Sequence, residues 1–386
     1  MVRSLIQSSP GIVLPENWEC EEQNLMPEKL YSVITGTGSY IPPRRVKNAN
    51  FHDNRFFADY GKPLDPAGNQ VITRKFEEIT DIVERRYVED NLMASDMGVE
   101  AASQAVQAAG VDREELDYII FAHNFGDVPA DNRRSDFVPS LAARVKQELE
   151  IANPGCIAYD LPFGCPGWIQ GVIQADYYLR SGDTKRILVI GADTLSRVSD
   201  PHDRDSMLYS DGAGAAVLEA RSSSSPVGLL AHSARSDTIK HARLLWMGCS
   251  YNPDYLGDDL FLKMHGRKLY EYALTTVPAV VKESLDKAGL GLGDVSKVLL
   301  HQANAKMDEA ILTRLFKMYG IQEIPDGIMP MTIATLGNSS VATVPTLLDL
   351  ILREELDGQR LAGGDVVVFA SVGAGMNINS LVYRWV

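Results

Sequence analysis

The sequence lacks the features that would direct a chain into a membrane or onto nucleic acid. No apolar run approaches the ~20 residues that cross a bilayer, and residues 1–23 hold no sustained apolar stretch of the kind found in signal peptides. Basic residues are also scarce, with 37 Lys and Arg against 51 Asp and Glu. The net charge of -14 argues against phosphate backbones as partners. We therefore predict a cytoplasmic protein with no membrane insertion and no nucleic-acid partner.

Cysteine is rare as well, and the four residues are Cys20, Cys156, Cys165 and Cys249. Their spacing matches neither the C-x-x-C pairs of metal sites nor a disulfide framework, so no metal site is predicted. In a cytoplasmic chain we expect free thiols. Each cysteine is therefore either a small buried residue or a nucleophile.

Apolar residues, by contrast, make up 45% of the 386-residue chain, in segments that alternate between strand-like and helix-like patterns. This alternation predicts an α/β protein with buried sheets. Strands are expected at 31–38, 118–123, 156–160, 186–191, 213–219, 227–231, 297–301, 366–371 and 377–383. Helices are expected at 95–109, 139–150, 165–182, about 262–288, 304–319 and 341–355.

Two similar halves are expected on either side of the low-complexity stretch RSSSSP at 221–226. Glycine-rich junctions at 211–217 and 371–377 occur late in both halves and indicate a duplicated α/β unit. We interpret the polar, aromatic insertion at 50–73 as a surface excursion, and the entrance to a functional site is one place where it could lie. The predicted units are an irregular N-terminal extension at 1–30, a first half at 31–225 and a second half at 226–386.

Cys165 follows a predicted strand and a sharp Pro-Phe-Gly turn, and it opens a predicted helix. Unpaired N–H groups and the positive dipole end at a helix N-terminus favour a thiolate. The strand–turn–helix context is typical of activated nucleophiles, and Pro166 fits the first helical turn. From this context alone, Cys165 is either a nucleophile or a buried structural thiol.

Two further polar residues are candidates for a functional site because of their sequence contexts. His301 ends the apolar segment KVLL, at the carboxyl end of a predicted strand. A core histidine with satisfied hydrogen bonds is the alternative. Asn338 lies in the glycine-containing segment TLGNSSVATVP, where a turn residue or a helix cap is the alternative.

The order of several motifs resembles one family. The motifs are TDIVERRYVEDNLMASDMGVEAASQAVQAAGV at 80–111, D-x-x-x-x-C at 160–165, GADTLSR at 191–197, SDGAGAAVLEA at 210–220, HQAN at 301–304, GNSS at 337–340 and VGAGM at 372–376. Over about residues 31–386 the chain is similar to β-ketoacyl-[acyl-carrier-protein] synthase III. The resemblance implies an α/β thiolase fold, with duplicated halves in a five-layered αβαβα core, and a homodimer.

The resemblance also implies an acyltransferase of fatty-acid biosynthesis with a Cys-His-Asn triad of Cys165, His301 and Asn338. Cys165 would attack an acyl thioester, and backbone N–H groups of Cys165 and Ala374 would form the oxyanion hole. Malonyl-carrier protein would then lose CO₂, and the carbanion would attack the acyl group on Cys165. The substrates would be acyl-CoA or acyl-carrier protein together with malonyl-carrier protein, and no cofactor is expected.

Related enzymes differ at informative positions. Biosynthetic thiolases use a second cysteine near the C-terminus, whereas the last cysteine here is Cys249. Elongating ketosynthases have a second histidine where this chain has Asn338, and plant-type polyketide synthases have Pro-Gly-Gly where Gln-Ala-Asn follows His301. A non-catalytic thiolase-fold subunit stays an alternative, although such proteins typically lose the nucleophile that this chain retains.

Departures from the family favour a further alternative, a synthase III-like enzyme of specialised lipid or polyketide metabolism. Such an enzyme would use a carrier-bound or β-keto acyl donor, or a non-malonyl acceptor. The family has Ser or Ala where Pro166 follows the nucleophile, and its tryptophan and arginine that hold coenzyme A align near Lys75 and Ile79. Phe163 and Trp168 flank the nucleophile as acyl-pocket wall or as core, and the length of the acyl chain stays open.

An acidic carrier protein needs a positive landing site on this acidic chain. The helix after HQAN offers Lys306 and Arg314, which we expect to dock the carrier protein, together with Lys317. Arg267 and Lys268 add positive charge elsewhere in the second half. The alternative is that these residues form ordinary solvated helix faces.

Overall fold

The computed structural model describes residues 29–58 and 61–386. The predicted N-terminal extension at 1–30 lies outside the described residues except for residues 29–30, which begin the first strand. Among the helices in the described ranges, none combines the length and the apolar character that a bilayer span requires.

The strands are, in chain order, β1 (Lys29–Tyr40), β2 (Arg44–Lys47), β3 (Phe57–Ala58), β4 (Lys62–Pro63), β5 (Glu84–Tyr87), β6 (Tyr118–His123), β7 (Ile157–Pro162), β8 (Arg186–Thr194), β9 (Asp211–Ser223), β10 (Gly228–Ser236), β11 (Leu245–Gly248), β12 (Phe261–Met264), β13 (Val295–Leu300), β14 (Val366–Gly373) and β15 (Asn377–Arg384). The helices are α1 (Asn69–Thr80), α2 (Ala94–Ala109), α3 (Leu141–Glu148), α4 (Gly167–Ser181), α5 (Leu195–Val198), α6 (Thr238–His241), α7 (Gly266–Ala288), α8 (Ala305–Met318), α9 (Ile333–Leu336) and α10 (Thr343–Leu352).

Two mixed sheets form the centre of the molecule. The first has the strand order β1-β9-β8-β6-β7, and the second has the order β10-β15-β14-β13. In the first sheet β6 and β8 are parallel and β9 is antiparallel to β8. In the second, β13 and β14 are parallel and β15 is antiparallel to β14. The second sheet therefore repeats the strand arrangement of β6, β8, β9 and β1.

Helices cover both faces of both sheets, which explains why the strands carry long apolar runs instead of alternating polar and apolar residues. Between the sheets lie α4 and α10, whose Trp168 and Leu347 share one cluster with Ile120 of the first sheet and Phe369 of the second. The outer face of the first sheet is covered by α2 and α3. The outer face of the second is covered by α7 and α8. The layers thus follow the αβαβα order of the thiolase fold.

Helix α2 packs against β1 through backbone contacts, because two glycines of β1 leave room for it. A β-carbon at Gly36 would lie 2.3 Å from the carbonyl oxygen of Ala105, and one at Gly38 would lie 2.3 Å from that of Ala101. Side-chain carbons do not approach an oxygen so closely in a packed interior. Glycine at these positions therefore sets how near the outer layer comes to the first sheet.

A buried carboxylate anchors α10 to β1. The Thr37 hydroxyl donates to Asp349 Oδ1 at 2.8 Å, and the Ser39 hydroxyl donates to Oδ2 at 2.7 Å. Asp349 is 1% exposed, and a buried carboxylate requires such partners. Since α10 follows the GNSS segment closely, this anchor also positions the turn that carries Asn338.

The expected strands and helices are present with ends shifted by a few residues, apart from three differences. The helix expected from about 262 begins at Gly266, because residues 261–264 alternate in burial and pair with β11 as β12. The RSSSSP stretch is partly strand, since β9 runs to Ser223. The insertion at 50–73 is more than a surface excursion, because Phe56 and Phe57 are buried and its end forms the start of α1.

We expect Gly38→Ala to lower the free energy of unfolding by about 1–3 kcal/mol, because the added methyl group overpacks the contact between α2 and β1. Gly293→Ala is the matched control, since a β-carbon there would meet nothing within 4 Å. Urea unfolding followed by circular dichroism measures both variants. Equal stabilities of the two variants would contradict the tight contact.

Candidate active site

Cys165 lies between the end of a strand and the start of a helix. β7 ends at Pro162 and α4 begins at Gly167, whose N–H donates to the carbonyl of Gly164 at 2.7 Å. Cys165 thus precedes a helical turn with unpaired N–H groups and a positive dipole end. Its side chain is half-buried and lines a cavity. The strand–turn–helix context predicted from the sequence is the one observed.

Opposed effects set the acidity of the Cys165 thiol. Burial raises its pKa to about 11, whereas the hydrogen bond from the Ser340 hydroxyl, with Oγ 3.5 Å from Sγ, lowers the pKa. The dipole of α4 acts in the same direction as Ser340. The resting group is therefore the thiol, and formation of the thiolate depends on donors placed around the sulfur.

Two glycines bring a second segment of chain directly against Cys165. A β-carbon at Gly373 would lie 2.5 Å from the amide nitrogen of Cys165, and one at Gly164 would lie 2.6 Å from the amide nitrogen of Ala374. Any side chain at these two positions would push the segments apart. The amide nitrogens of Cys165 and Ala374, which we expect to form an oxyanion hole, therefore lie on touching segments that both line the cavity.

His301 follows the carboxyl end of β13 and is buried, with 5% of its surface exposed. Its backbone N–H donates to the carbonyl of Ala370 in β14 at 2.8 Å. Burial lowers the pKa of the imidazole to about 4, so the ring is neutral at neutral pH and carries one N–H donor. Within the described part of the chain, His301 Nδ1 has no hydrogen-bond partner.

The polar residues that follow His301 have structural roles. Gln302 Oε1 accepts the N–H groups of Thr332 and Ile333 at 2.8 and 3.0 Å. Asn304 caps α8, since its Oδ1 accepts a backbone N–H of the first turn at 3.1 Å. Within the HQAN motif, His301 is thus the candidate for chemistry, whereas Gln302 and Asn304 hold the neighbouring backbone.

Asn338 follows Gly337, whose φ of 67° lies in the left-handed region. The backbone N–H of Asn338 donates to the carbonyl of Leu208 at 3.0 Å, and its carbonyl accepts the N–H of Ser210 at 2.8 Å. The side-chain Oδ1 accepts the N–H of Ser340 at 2.9 Å. Because the amide oxygen is engaged in this way, the NH₂ end is the part of the side chain available to a ligand.

Cys165, His301 and Asn338 line one cavity of about 850 Å³. Phe163 also lines it, whereas Trp168 belongs to the core, being 1% exposed with its indole N–H donating to a strand carbonyl at 3.3 Å. The cavity wall is otherwise largely apolar, with residues that include Ile72, Phe76, Met207, Leu208, Leu262 and Met264. An apolar cavity with a few polar groups that converge on it is typical of a small-molecule site.

Other motif residues support the site from outside the cavity. Asp160 accepts the N–H groups of Leu141 and Ala142 at 2.8 Å each, so it holds the first turn of α3. The guanidinium of Arg197 donates to backbone carbonyls, including those of Val128 at 2.7 Å and Leu92 at 2.6 Å. Asp160 and Arg197 of the D-x-x-x-x-C and GADTLSR motifs therefore position the segments around the cavity.

Arg85 has a role that sequence reasoning missed. Its fully buried guanidinium donates to the carbonyls of Met207 and Val46 at 3.0 Å each and to Asn48 Oδ1 at 2.6 Å. It also lies 5.8 Å from the centroid of the Phe76 ring. Since Met207 and Phe76 line the cavity, Arg85 joins two of its walls. The sequence carries no local signal for this, because Met207 is 122 residues away.

The two positions that align near the family's coenzyme A-binding residues, and the residues expected to dock the carrier protein, lie at the surface. Lys75 and Ile79 are exposed on α1 and line the cavity. Lys306 and Arg314 are exposed on α8, and within the described ranges neither forms an ion pair. They are therefore accessible to a partner, and Lys306 lies beside the cavity-lining Met307.

A family model described as 3-oxoacyl-[acyl-carrier-protein] synthase III matches residues 159–238, and the model of its C-terminal part matches residues 285–385. The first match includes Cys165. The second includes His301, Asn338 and Ala374.

Several solved structures share the fold over nearly the whole chain. A 3-oxoacyl-[acyl-carrier-protein] synthase III from Aquifex aeolicus is 28% identical and covers 92% of this chain and 100% of its own, with a TM-score of 0.73. The priming β-ketosynthase of the R1128 polyketide pathway is 26% identical and covers 97% of this chain and 99% of its own, with a TM-score of 0.75. OleA from Xanthomonas campestris, at 18% identity, covers 93% of this chain and 99% of its own, with a TM-score of 0.73.

Proposed function

We propose that this chain, which is similar to the synthase III-like condensing enzymes of the thiolase fold, joins an acyl thioester to malonyl-[acyl-carrier protein] with loss of CO₂. The product is a 3-oxoacyl-[acyl-carrier protein], as in the initiation of fatty-acid biosynthesis. The observation that carries the proposal is the convergence of Cys165, His301 and Asn338, distant in sequence, on one largely apolar cavity.

The first half-reaction transfers the acyl group to Cys165. The sulfur bonds to the thioester carbonyl carbon, the donor's C–S bond breaks, and the donor leaves as a thiol carrying the proton that Cys165 loses. The backbone N–H groups of Cys165 and Ala374 donate to the oxyanion of the tetrahedral intermediate. One such donor lowers the barrier by about 2.7–4 kcal/mol.

The second half-reaction makes the carbon nucleophile. The malonyl carboxylate leaves as CO₂, and negative charge develops on the thioester oxygen. The neutral imidazole of His301, whose pKa burial lowers to about 4, and the NH₂ group of Asn338 donate hydrogen bonds to that oxygen. The carbanion then attacks the acyl carbonyl, the bond to sulfur breaks, and the Cys165 thiolate takes up a proton. Loss of CO₂ supplies the carbanion, so the proposed reaction requires no metal or redox cofactor.

A second candidate function keeps the Cys165 chemistry and changes the substrates. It is a synthase III-like enzyme of specialised lipid or polyketide metabolism, with another acyl donor or acceptor. Lys75 and Ile79 at the cavity favour it, because they stand where the family has the residues that hold coenzyme A. The similarity to a priming β-ketosynthase of a polyketide pathway supports it as well.

We expect the wild-type protein to gain the mass of one acyl group from its donor, and Cys165→Ala to gain none, because the variant lacks the nucleophile. Intact-protein mass spectrometry across a panel of acyl-CoAs and acyl-carrier proteins measures the adduct and identifies the donor. Malonyl-carrier protein should discharge it. A persistent adduct would support the second candidate, and no adduct from any donor would contradict both.

In the same experiment His301→Ala and Asn338→Ala should retain part of the acylation and lose about 10²–10³-fold in CO₂ release, because each removes a donor to the enolate oxygen. The matched control is Glu148→Ala, because Glu148 is exposed in α3, does not line the cavity, and lies on the outer layer of the other sheet from α8. Acylation lost as completely in His301→Ala as in Cys165→Ala would contradict the division of roles.

We further propose that the carrier protein docks on α8, with Lys306 and Arg314 meeting its acidic surface. The double variant Lys306→Glu, Arg314→Glu should raise KM for carrier-bound malonate about tenfold, because like charges then face each other. Steady-state kinetics at low salt measures the effect, which added salt should reduce. Lys185→Glu is the control, since this exposed residue precedes β8 at the end of the sheet opposite Cys165. Equal KM values for the two variants would refute the docking site.

We also propose that the protein is a homodimer joined along β7. This strand is at the edge of the first sheet, and edge strands with apolar side chains favour pairing with another chain. Ile157 in β7 is 48% exposed, and the neighbouring Tyr178 is 37% exposed.

Ile157→Lys should therefore weaken dimerisation about tenfold or more, since it places an unpaired charge at the contact. Size-exclusion chromatography with light scattering over a dilution series measures the dissociation constant. Ile239→Lys is the control, because Ile239 is fully exposed in the separate short helix α6. A wild-type protein that is monomeric at all concentrations would exclude the proposal.

A further inference from the structure

Ser340 contacts two members of the proposed triad. Its Oγ lies 3.5 Å from Cys165 Sγ, and its backbone N–H donates to Asn338 Oδ1 at 2.9 Å. Its φ of 55° lies in the left-handed region, which non-glycine residues rarely adopt. Such strain is maintained where the surrounding structure holds a residue in a set orientation.

The Ser340 side chain is held by two residues of the first sheet. Asn124 directly follows β6, and Asp193 lies near the end of the parallel neighbour β8, so both occur at the same sheet edge. Asn124 Nδ2 donates to Asp193 Oδ2 at 2.6 Å and to Ser340 Oγ at 2.8 Å. The backbone N–H of Asn124 donates to Asp193 Oδ1 at 2.9 Å. Asp193, at 1% exposure, thus fixes Asn124 at two points.

The hydrogens of this network can be accounted for individually. The opposite orientation of the Asn124 amide would place its oxygen against a carboxylate oxygen, so the NH₂ group faces Asp193. One amide hydrogen goes to Asp193 and the other to Ser340 Oγ. Because Ser340 Oγ accepts there, its single hydroxyl hydrogen can go to either of two acceptors, the Asp193 carboxylate or Cys165 Sγ at 3.5 Å. Negative charge on the sulfur makes Cys165 a stronger acceptor than it is as a neutral thiol, so the hydroxyl turns toward it as the thiolate forms.

We propose that Ser340 is a further catalytic residue, whose hydroxyl donates a hydrogen bond to Cys165 Sγ and stabilises the attacking thiolate, and that Asn124 and Asp193 are positioning residues for that hydroxyl. The inference deepens the function proposed above and rests on it. Ser340 acts as a donor and keeps its hydrogen throughout, since the proton lost by Cys165 ends on the departing thiol. A hydrogen bond to a charged sulfur is stronger than one to the neutral thiol, so the stabilisation appears as the charge forms.

The test uses the pH dependence of Cys165 alkylation, which needs no acyl substrate. The titratable groups facing the sulfur are Asp193, His301 and Tyr209, with His123 facing Asp193. Burial lowers the pKa of His301 to about 4 and raises that of Tyr209 well above its ordinary value. Both groups therefore stay in one form from about pH 7 to about pH 10, where the thiolate is the reactive species.

Iodoacetamide alkylation is followed by peptide mass spectrometry, which resolves Cys165 from the exposed Cys249. Ser340→Ala should shift the Cys165 rate profile upward by about one pH unit, a roughly tenfold slower reaction at pH 8. Ser340→Gly should give the same shift without backbone strain at a positive φ. Asn124→Ala should shift the Cys165 rate profile in the same direction but by less, because the Ser340 hydroxyl is still present and has lost only the side chain that orients it.

Ser339→Ala is the matched control, since its hydroxyl contacts Thr343 Oγ1 at 3.3 Å, within the same turn. Ser339→Ala should leave the rate profile of Cys165 unchanged, and every variant should leave the rate profile of Cys249 unchanged. A wild-type profile in both Ser340→Ala and Ser340→Gly would overturn the assignment, and so would an equal shift in Ser339→Ala. Failure of the proposed condensation would be recognised separately, as the absence of an acyl adduct in a protein whose alkylation still shifts.

Discussion

The rest of the site depends on one contact between two turns. The turn that contains Gly164 and Cys165 packs directly against the turn that contains Gly373 and Ala374. One turn follows β7 of the first sheet, and the other follows β14 of the second. The sheets approach each other at this point only as closely as two glycines allow. The layer of α4 and α10 sets the spacing elsewhere. Cys165 from one half and the amide nitrogen of Ala374 from the other are therefore brought together by this contact.

The burial that joins the halves also determines the charge of the site at rest. Desolvation raises the pKa of the Cys165 thiol to about 11 and lowers that of His301 to about 4, so neither carries a charge at neutral pH. Hydrogen bonds are worth more in such an environment than in water. A site of neutral groups and fixed donors suits the proposed condensation, in which charge would appear briefly, first on sulfur and then on an enolate oxygen.

Much of the fold follows from local pattern, because β6, β8 and β14 are continuous apolar runs and α2 ends at Gly110 with a φ of 66°. Strand β12 does not follow from local pattern, because it is too short to show the alternating periodicity of a strand. Its Lys263 is also buried against Asp200, which lies 63 residues away in the sequence. The same limit applies to the site. The residues of the proposed triad stand in recognisable motifs. Asn124, by contrast, donates to Ser340, which lies 216 residues further along the chain, and only the folded sheets bring these two residues together.

The proposed catalytic residues and much of the cavity wall come from different parts of the chain. The triad residues fall within 159–238 and 285–385, the segments that match the synthase III models. The cavity walls formed by α1 and by the β11–β12 ribbon fall outside both segments. Arg85 links the α1 wall, through Phe76, to Met207 in the matched part. A change in α1 can thus reshape the cavity while the glycine contact keeps Cys165 in place, and the proposed condensation would then take a different acyl donor with the same proposed triad.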